Sequence, residues 1–249
     1  MNKTPLAKKA DYGLDGPPII RNLVLSGVAF VVLGGFVYLL LASVRSLIAG
    51  VFLSCSLLAG LLSFLSAGLM VRSSKVGKLR QRERLMDLVE LRGDEMVLDV
   101  GCGRGLLLNA AAKRLTTGKA VGIDLWETED LSDNRPEVTL ANADAEGVAD
   151  RVEVKTSDMQ QMPFSDGTFD IAVASMAIHN IRNKDGRAKA VREIARVLKP
   201  GGRVALQDFI CTDEYAQILR DMGWASVERS GLNAAMWPPV RVVTGRKPM

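Results

Sequence analysis

The segment Val97-Leu98-Asp99-Val100-Gly101-Cys102-Gly103-Arg104-Gly105 sets three glycines at alternate positions directly after a short apolar run. A bend of this kind exposes backbone N–H groups at the mouth of the next helix and lets a ligand approach the main chain closely. The following apolar run ends in Gly122-Ile123-Asp124, which puts a carboxylate where the ribose of a bound nucleoside would lie, able to accept from both hydroxyls. A phosphate-binding loop is excluded because the G-K-[S/T] ending is missing, and the full NAD pattern fails because Leu106 stands where its third glycine should be. Further along, Ser175-Met176-Ala177-Ile178-His179-Asn180-Ile181 follows another apolar run. His179 is the sole histidine, and imidazole as a side-chain type titrates at ~6.5, suited to taking a proton from a thiol, amine or hydroxyl. The competing reading makes His179 a hydrogen-bonded loop residue that shapes a pocket. Asn180 either orients a polar group or begins the next turn. With one histidine and three scattered cysteines (Cys55, Cys102, Cys211), no C-x-x-C and no histidine pair, no metal site is expected. Cys102 fills a loop position that demands a small side chain and is not read as a nucleophile.

These residues need a scaffold, and the pattern around them supplies one. Strands are expected at Met96–Val100, Ala120–Asp124, Val152–Thr156, Phe169–Ser175, Arg203–Asp208, Ala225–Glu228 and Val240–Thr244. Helices fall between them, around Leu106–Leu115, Pro136–Val148, Arg187–Leu198 and Asp213–Met222. Such alternation implies an α/β domain with a mainly parallel sheet and helices on both faces. Asp170 begins a strand rather than ending one and is read as structural.

In this order the motifs resemble class I S-adenosylmethionine-dependent methyltransferases, over roughly residues 85–246. Asp99, Gly101, Cys102, Gly103 and Gly105 match the family's glycine-rich first motif, and Asp124 matches its ribose-binding acid. Leu125 and Trp126 match positions that border adenine. Ser157-Asp158-Met159 matches the loop after the third strand, with Asp158 accepting from the adenine amino group. Phe169-Asp170-Ile171-Ala172 and Val197-Leu198-Lys199-Pro200-Gly201-Gly202 match the fourth-strand segment, which ends at Ser175, and the turn before the fifth. The broad group that includes ubiquinone-type and other small-molecule methyltransferases is the nearest in flavour. The resemblance implies a Rossmann-like, seven-stranded sheet whose last strand runs antiparallel, S-adenosyl-L-methionine as cofactor, and transfer of its methyl group by in-line displacement, which is chiefly a problem of positioning.

The charges are unevenly spread. No charged residue occurs from Leu23 to Val44 or from Ser46 to Val71, stretches of 22 and 26 residues divided only by Arg45. A hydrocarbon core of ~30 Å needs about 20 apolar residues in a helix. The expected organisation is a cytoplasmic tail (1–22), a transmembrane hairpin (about 23–44 and 46–71), a basic linker helix (72–92) and a methyltransferase domain (93–249). Lys3, Lys8, Lys9 and Arg21 flank one end, and Arg72, Lys75, Lys78, Arg80, Arg82 and Arg84 flank the other, which puts both termini in the cytoplasm. Residues 85–249 hold 21 Lys+Arg against 25 Asp+Glu, so the basic pI comes from the anchor and gives no support for nucleic-acid binding. Spacings such as Gly50/Ser54 and Ser56/Gly60 permit close helix packing, within the hairpin or in a homodimer. The expected activity is membrane-anchored methyl transfer to a small or lipophilic acceptor: a quinone, lipid amine, prenyl compound or thiol. The alternatives are a small-molecule thiol or heteroatom methyltransferase, and a non-catalytic cofactor-binding scaffold subunit. The acidic, polar segment Trp126–Asn134 is read as a lid or a solvated loop, and Trp237-Pro238-Pro239 as an acceptor-site wall or a stiff connection.

Overall fold

The computed structural model describes residues 9–249; Lys3 and Lys8 of the basic flank lie outside them. Helix α1 (Pro17–Leu41) and helix α2 (Ser46–Arg72) form an antiparallel hairpin. The first starts ahead of the uncharged stretch because Pro17 and Pro18 suit a first helical turn, whose N–H groups have no intrahelical partner. Arg21 is thereby taken into α1. Small residues set the spacing inside the hairpin: a Cβ on Gly34 would lie 3.1 Å from Ser56 Oγ, and one on Gly60 would lie 3.1 Å from the Gly27 carbonyl. Ser56 and Gly60 therefore face α1. Gly50 has open space around it, and Ser54 Oγ donates back to its carbonyl at 2.9 Å. Both helices are long and apolar enough to cross a membrane, and side chains such as Leu39, Leu47 and Leu61 stand exposed on their outer faces.

The second helix does not stop at the hairpin base. It passes through a π-helical turn (Ser73–Gly77) directly into α3 (Lys78–Leu88), whose Leu85 and Met86 are fully buried in the neighbouring domain. The expected linker is thus a packed element, with Arg80 and Arg84 on its exposed side.

The domain continues as β1 (Met96–Val100), α4 (Leu106–Arg114), β2 (Lys119–Asp124), α5 (Pro136–Ala145), β3 (Val152–Thr156), β4 (Phe169–Ser175), α6 (Lys184–Val197), β5 (Leu198–Asp208), α7 (Thr212–Asp221), β6 (Ala225–Arg229) and β7 (Arg241–Arg246). The seven strands lie in the order β3-β2-β1-β4-β5-β7-β6. All neighbours are parallel except β7, which runs antiparallel to β5 and β6. Alternate residues of each central strand serve opposite faces. Leu98, Val100, Ala172, Ala174 and Leu206 pack against α6 and α7, while Val97, Ile171, Val173 and Ala205 pack with α3 and α4. The order of strand addition reverses between the parallel neighbours β1 and β4, so their carboxyl ends open a crevice at the switch point, the usual ligand position in an open α/β sheet.

Asp170 behaves as the sequence implied: it accepts from the Met96 N–H at 2.9 Å and pairs with Lys199 Nζ at 2.8 Å, at the opposite end of the sheet.

Candidate active site

A cavity of about 800 Å³ occupies the switch-point crevice. From the sequence-derived set it gathers Asp99, Gly101, Cys102, Gly103, Asp124, Leu125, Asp158, Met159, Ser175, His179 and Asn180. Gly105 and Trp126 do not line it. Gly105 forms the N-cap of α4, and the Trp126 indole turns away to donate to Thr156 Oγ1 at 2.8 Å.

The glycine loop has little freedom to be anything else. Gly101 and Gly103 have φ of +71° and +50°, in the left-handed region. A Cβ on Gly101 would collide with that of Ala177, and one on Gly103 would lie 2.8 Å from Leu131 Cδ2. Asp99, fully buried beneath the loop, accepts the Leu108 N–H at 2.8 Å. Burial pushes its pKa up to about 8, opposed by that N–H and assisted by the nearby Asp124 charge. Asp124 is held by three donors: Gly103 N–H at 2.8 Å, Trp126 N–H at 2.7 Å and Asn134 Nδ2 at 3.1 Å. A carboxylate offers about four acceptor sites, so capacity remains for a ligand hydroxyl. Burial also drives the Cys102 thiol pKa upward, which leaves it an inert filler below the loop. Asp158 closes an Asx turn through Gln160 N–H at 2.8 Å.

On the other side of the crevice, His179 sits in a 3₁₀ turn (Ile178–Asn180) just beyond β4. Its Nδ1 lies 2.8 Å from Oδ1 of Asp208, the last residue of β5, which is 1% exposed. Asp208 is itself fixed by the Phe209 N–H at 2.9 Å and the Tyr215 hydroxyl at 3.2 Å. Burial and the Asp208 charge raise the Tyr215 pKa, so its phenol stays neutral and donates. Phe209 stacks edge-on against the imidazole at 4.6 Å. Ser175 Oγ accepts from Gln207 Nε2 at 2.9 Å, while Asn180 is exposed at the cavity rim.

Sequence reasoning missed a second group, contributed by the N-terminal segment. Residues 11–16 cross the cavity as a strap. Leu14 N–H donates to Ser132 Oγ at 3.0 Å, Gly16 N–H donates to the Asp130 carbonyl at 2.8 Å, and Asp15 bridges to Leu131. Lys78, 5% exposed, donates to the carbonyls of Tyr12 and Gly13 at 2.7 and 3.0 Å and to Asp15 Oδ1 at 2.8 Å. Within the segment Trp126–Asn134, Asp130–Ser132 is thereby tied to the strap, while Glu127–Asp130 and Asp133 stay exposed to solvent. Trp237 and Pro238 line the cavity beside the hairpin.

An adenosyl sulfonium fits these residues. Gly101 and Gly103 line the cavity and their backbone is open to a ligand, Asp124 has acceptor capacity to spare, and Asn134 Oδ1 is buried in the cavity wall without a partner.

Residues 98–206 match the family described as a methyltransferase domain. With the sheet order and the glycine loop, this match makes the domain similar to the class I S-adenosylmethionine-dependent methyltransferases, whose methyl donor is S-adenosyl-L-methionine. Among its relatives is the sterol 4-C-methyltransferase of Caenorhabditis elegans, 36% identical over 53% of this chain and 36% of that protein. Another is the ubiquinone/menaquinone biosynthesis C-methyltransferase UbiE of Roseobacter denitrificans, 34% identical over 51% of this chain and 48% of that one. The chain thus spans about half or less of the length of these curated relatives. The solved [4+2]-cyclase SpnF shares the fold, with a TM-score of 0.56 and 21% identity over 69% of this chain and 82% of that one. A cyclase on the same fold is a reminder that activity must be argued from the site.

Proposed function

We propose that this chain is a membrane-anchored S-adenosylmethionine-dependent methyltransferase that acts on a lipophilic small-molecule acceptor, with both termini and the catalytic domain on the cytoplasmic side. The observation that carries the reading is a single cavity lined both by the glycine loop with its acids and by His179, behind which Asp208 lies buried with its carboxylate 2.8 Å from the imidazole. Asp99, Gly101, Cys102 and Gly103 would hold the methionine part of the cofactor, Asp124 the ribose, and Leu125, Asp158 and Met159 the adenine. Gly105 supports the loop as the N-cap of α4, the Trp126 N–H helps fix Asp124, which holds the Gly103 N–H, and Ser175 lines the cavity from the end of β4. When bound, S-adenosylmethionine supplies a methyl group already activated on a sulfonium.

The protein's own task is to place an acceptor and manage its proton. The Asp208 carboxylate lies 2.8 Å from Nδ1 of His179 without the alignment of a hydrogen bond and accepts the His179 backbone N–H at 3.3 Å; a small turn of the ring would align Nδ1–H with Asp208 and free Nε2 to accept a proton. A buried carboxylate behind the ring both fixes its orientation and stabilises the imidazolium that forms, the logic of any oriented histidine base. Asn180 stands at the rim, where it can orient a polar group of the acceptor.

Two apolar helices support the membrane assignment, and the basic residues at their shared end support the orientation. The named substrates of relatives, a sterol and a quinone, are apolar molecules that a membrane would collect. The test is transfer from labelled S-adenosylmethionine into membrane extracts and into water-soluble pools. Label in the lipid fraction that vanishes in Asp124→Ala supports the proposal. Label confined to soluble acceptors contradicts it.

A further inference from the structure

The hairpin does more than tether the domain: its base forms part of the cavity. Ile19 and Leu23 of α1, and Ser66 and Met70 of α2, line the same space as His179 and Asp124. Each pair is spaced four residues apart and so presents one helix face to that space. The loop between β6 and β7 completes the wall. Trp237 Nε1 donates to Ser66 Oγ at 3.0 Å, and Trp237 N–H donates to Ser73 Oγ at 2.9 Å. The cavity is thus polar at the sheet edge and apolar where it meets the two helices.

The level of this apolar end in a bilayer follows from helix length. Helices of 25 and 27 residues are about 37 and 40 Å long at 1.5 Å per residue, several ångströms beyond a hydrocarbon core of ~30 Å. The tip carries Arg45 alone, whereas Arg21 and Arg72 mark the base. Ile19, Leu23 and Met70 flank those arginines, and the indole of Trp237 lies at the same level, as tryptophans at membrane boundaries commonly do.

We infer that the hairpin base is a lateral portal through which one amphiphilic acceptor enters from the bilayer. Its reacting polar head lies at His179, and its apolar chain lies between Ile19 and Leu23 on one side and Ser66 and Met70 on the other. This rests on the membrane-anchored reading above and narrows it: the acceptor has a polar head with a long apolar chain and stays partly in lipid as it reacts. A cavity of about 800 Å³ suits this, near the upper end of the roughly 300–1,000 Å³ of ligand sites.

The experiment uses the full chain in phosphatidylcholine vesicles and a long-chain alkylphenol carrying a diazirine in its chain. Photolysis is expected to label peptides containing Ile19, Leu23, Ser66 and Met70, and excess unlabelled alkylphenol is expected to suppress that label. Leu23→Trp, which fills the portal, should reduce the suppressible label by about fivefold or more, whereas Leu39→Trp on the outer face should leave it unchanged. Ile19→Trp repeats the test should Leu23→Trp fail to insert. Label spread along Leu39, Leu47 and Leu57 without suppression would overturn the portal. The readout needs no methyl transfer, so it separates the two ideas. Suppressible portal label in a protein that binds no S-adenosylmethionine would uphold the portal and refute the transferase reading.

Discussion

Asp208 closes the fifth strand with its carboxylate 2.8 Å from Nδ1 of His179, a residue that reaches it from the turn after the fourth strand. The two strand ends are parallel neighbours, with Ser175 opposite Gln207, so the pair is a direct product of sheet register. His179→Ala is expected to lower kcat by about 10²-fold or more, within the range for loss of a general base. Asp208→Asn should lower kcat with little change in KM for the acceptor, and the double variant should lose less than the two effects combined, because the residues act as a unit. Full kcat in His179→Ala would exclude the base. Additive losses would exclude the coupling.

The acid beneath the glycine loop predicts a pH dependence of stability. Asp99 has an ordinary carboxylate value of 3.8 when unfolded and about 8 when folded. Between those values the folded chain keeps a proton that the unfolded chain has lost, so stability falls as pH rises. The contribution is complete below 3.8 and is lost as pH passes through about 8. Asp99→Asn should flatten the fall in Tm across that interval, measured without cofactor. An unchanged slope would show that Asp99 ionises freely in the folded protein.

Lys78 ties the strap to the domain, and burial lowers its pKa although Asp15 opposes the shift. Lys78→Met leaves the Tyr12 and Gly13 carbonyls without their donor, at a cost of about 1–3 kcal/mol if they stay buried. Amide hydrogen exchange in residues 11–16 and 130–134 should accelerate while the central strands stay protected. Unchanged exchange there would mean that the strap's other bonds, to Asp130, Ser132, Asn142 and Ser74, hold it without Lys78.

Gly77 lies in the π-helical turn against the Ala235 carbonyl, and any Cβ would strike that backbone. Gly77→Ala is expected to destabilise by about 1–3 kcal/mol through overpacking. Gly231→Ala meets open space and serves as the matched control with no effect on Tm. Equal Tm values for both variants would show that the loop bearing Trp237 is not seated on the hairpin base.

The glycine loop, Asp99 and Asp124 on the first two strands and the turn bearing His179 were legible because each depends on residues a few positions apart: a strand, a bend and a helix start. The antiparallel last strand came from family resemblance rather than from local pattern. The strap was invisible because its bonds join residues far apart, such as Leu14 with Ser132 and Lys78 with Tyr12. Lys78 in particular looked like one of a run of surface cations, and only the fold buries it. Asp208 escaped notice for a related reason: its partner is set by strand register. Trp126 matched an adenine-bordering position, yet its φ of +63° and its bond to Thr156 carry the indole off the cavity wall.

Titration calorimetry of the full chain with S-adenosylmethionine tests the central claim most directly. Saturable heat at one site in the wild type, abolished or weakened at least tenfold in Asp124→Ala with an unchanged Tm, is the predicted result. Absence of heat from folded protein, with an unrelated nucleotide saturating the same cavity, would contradict it.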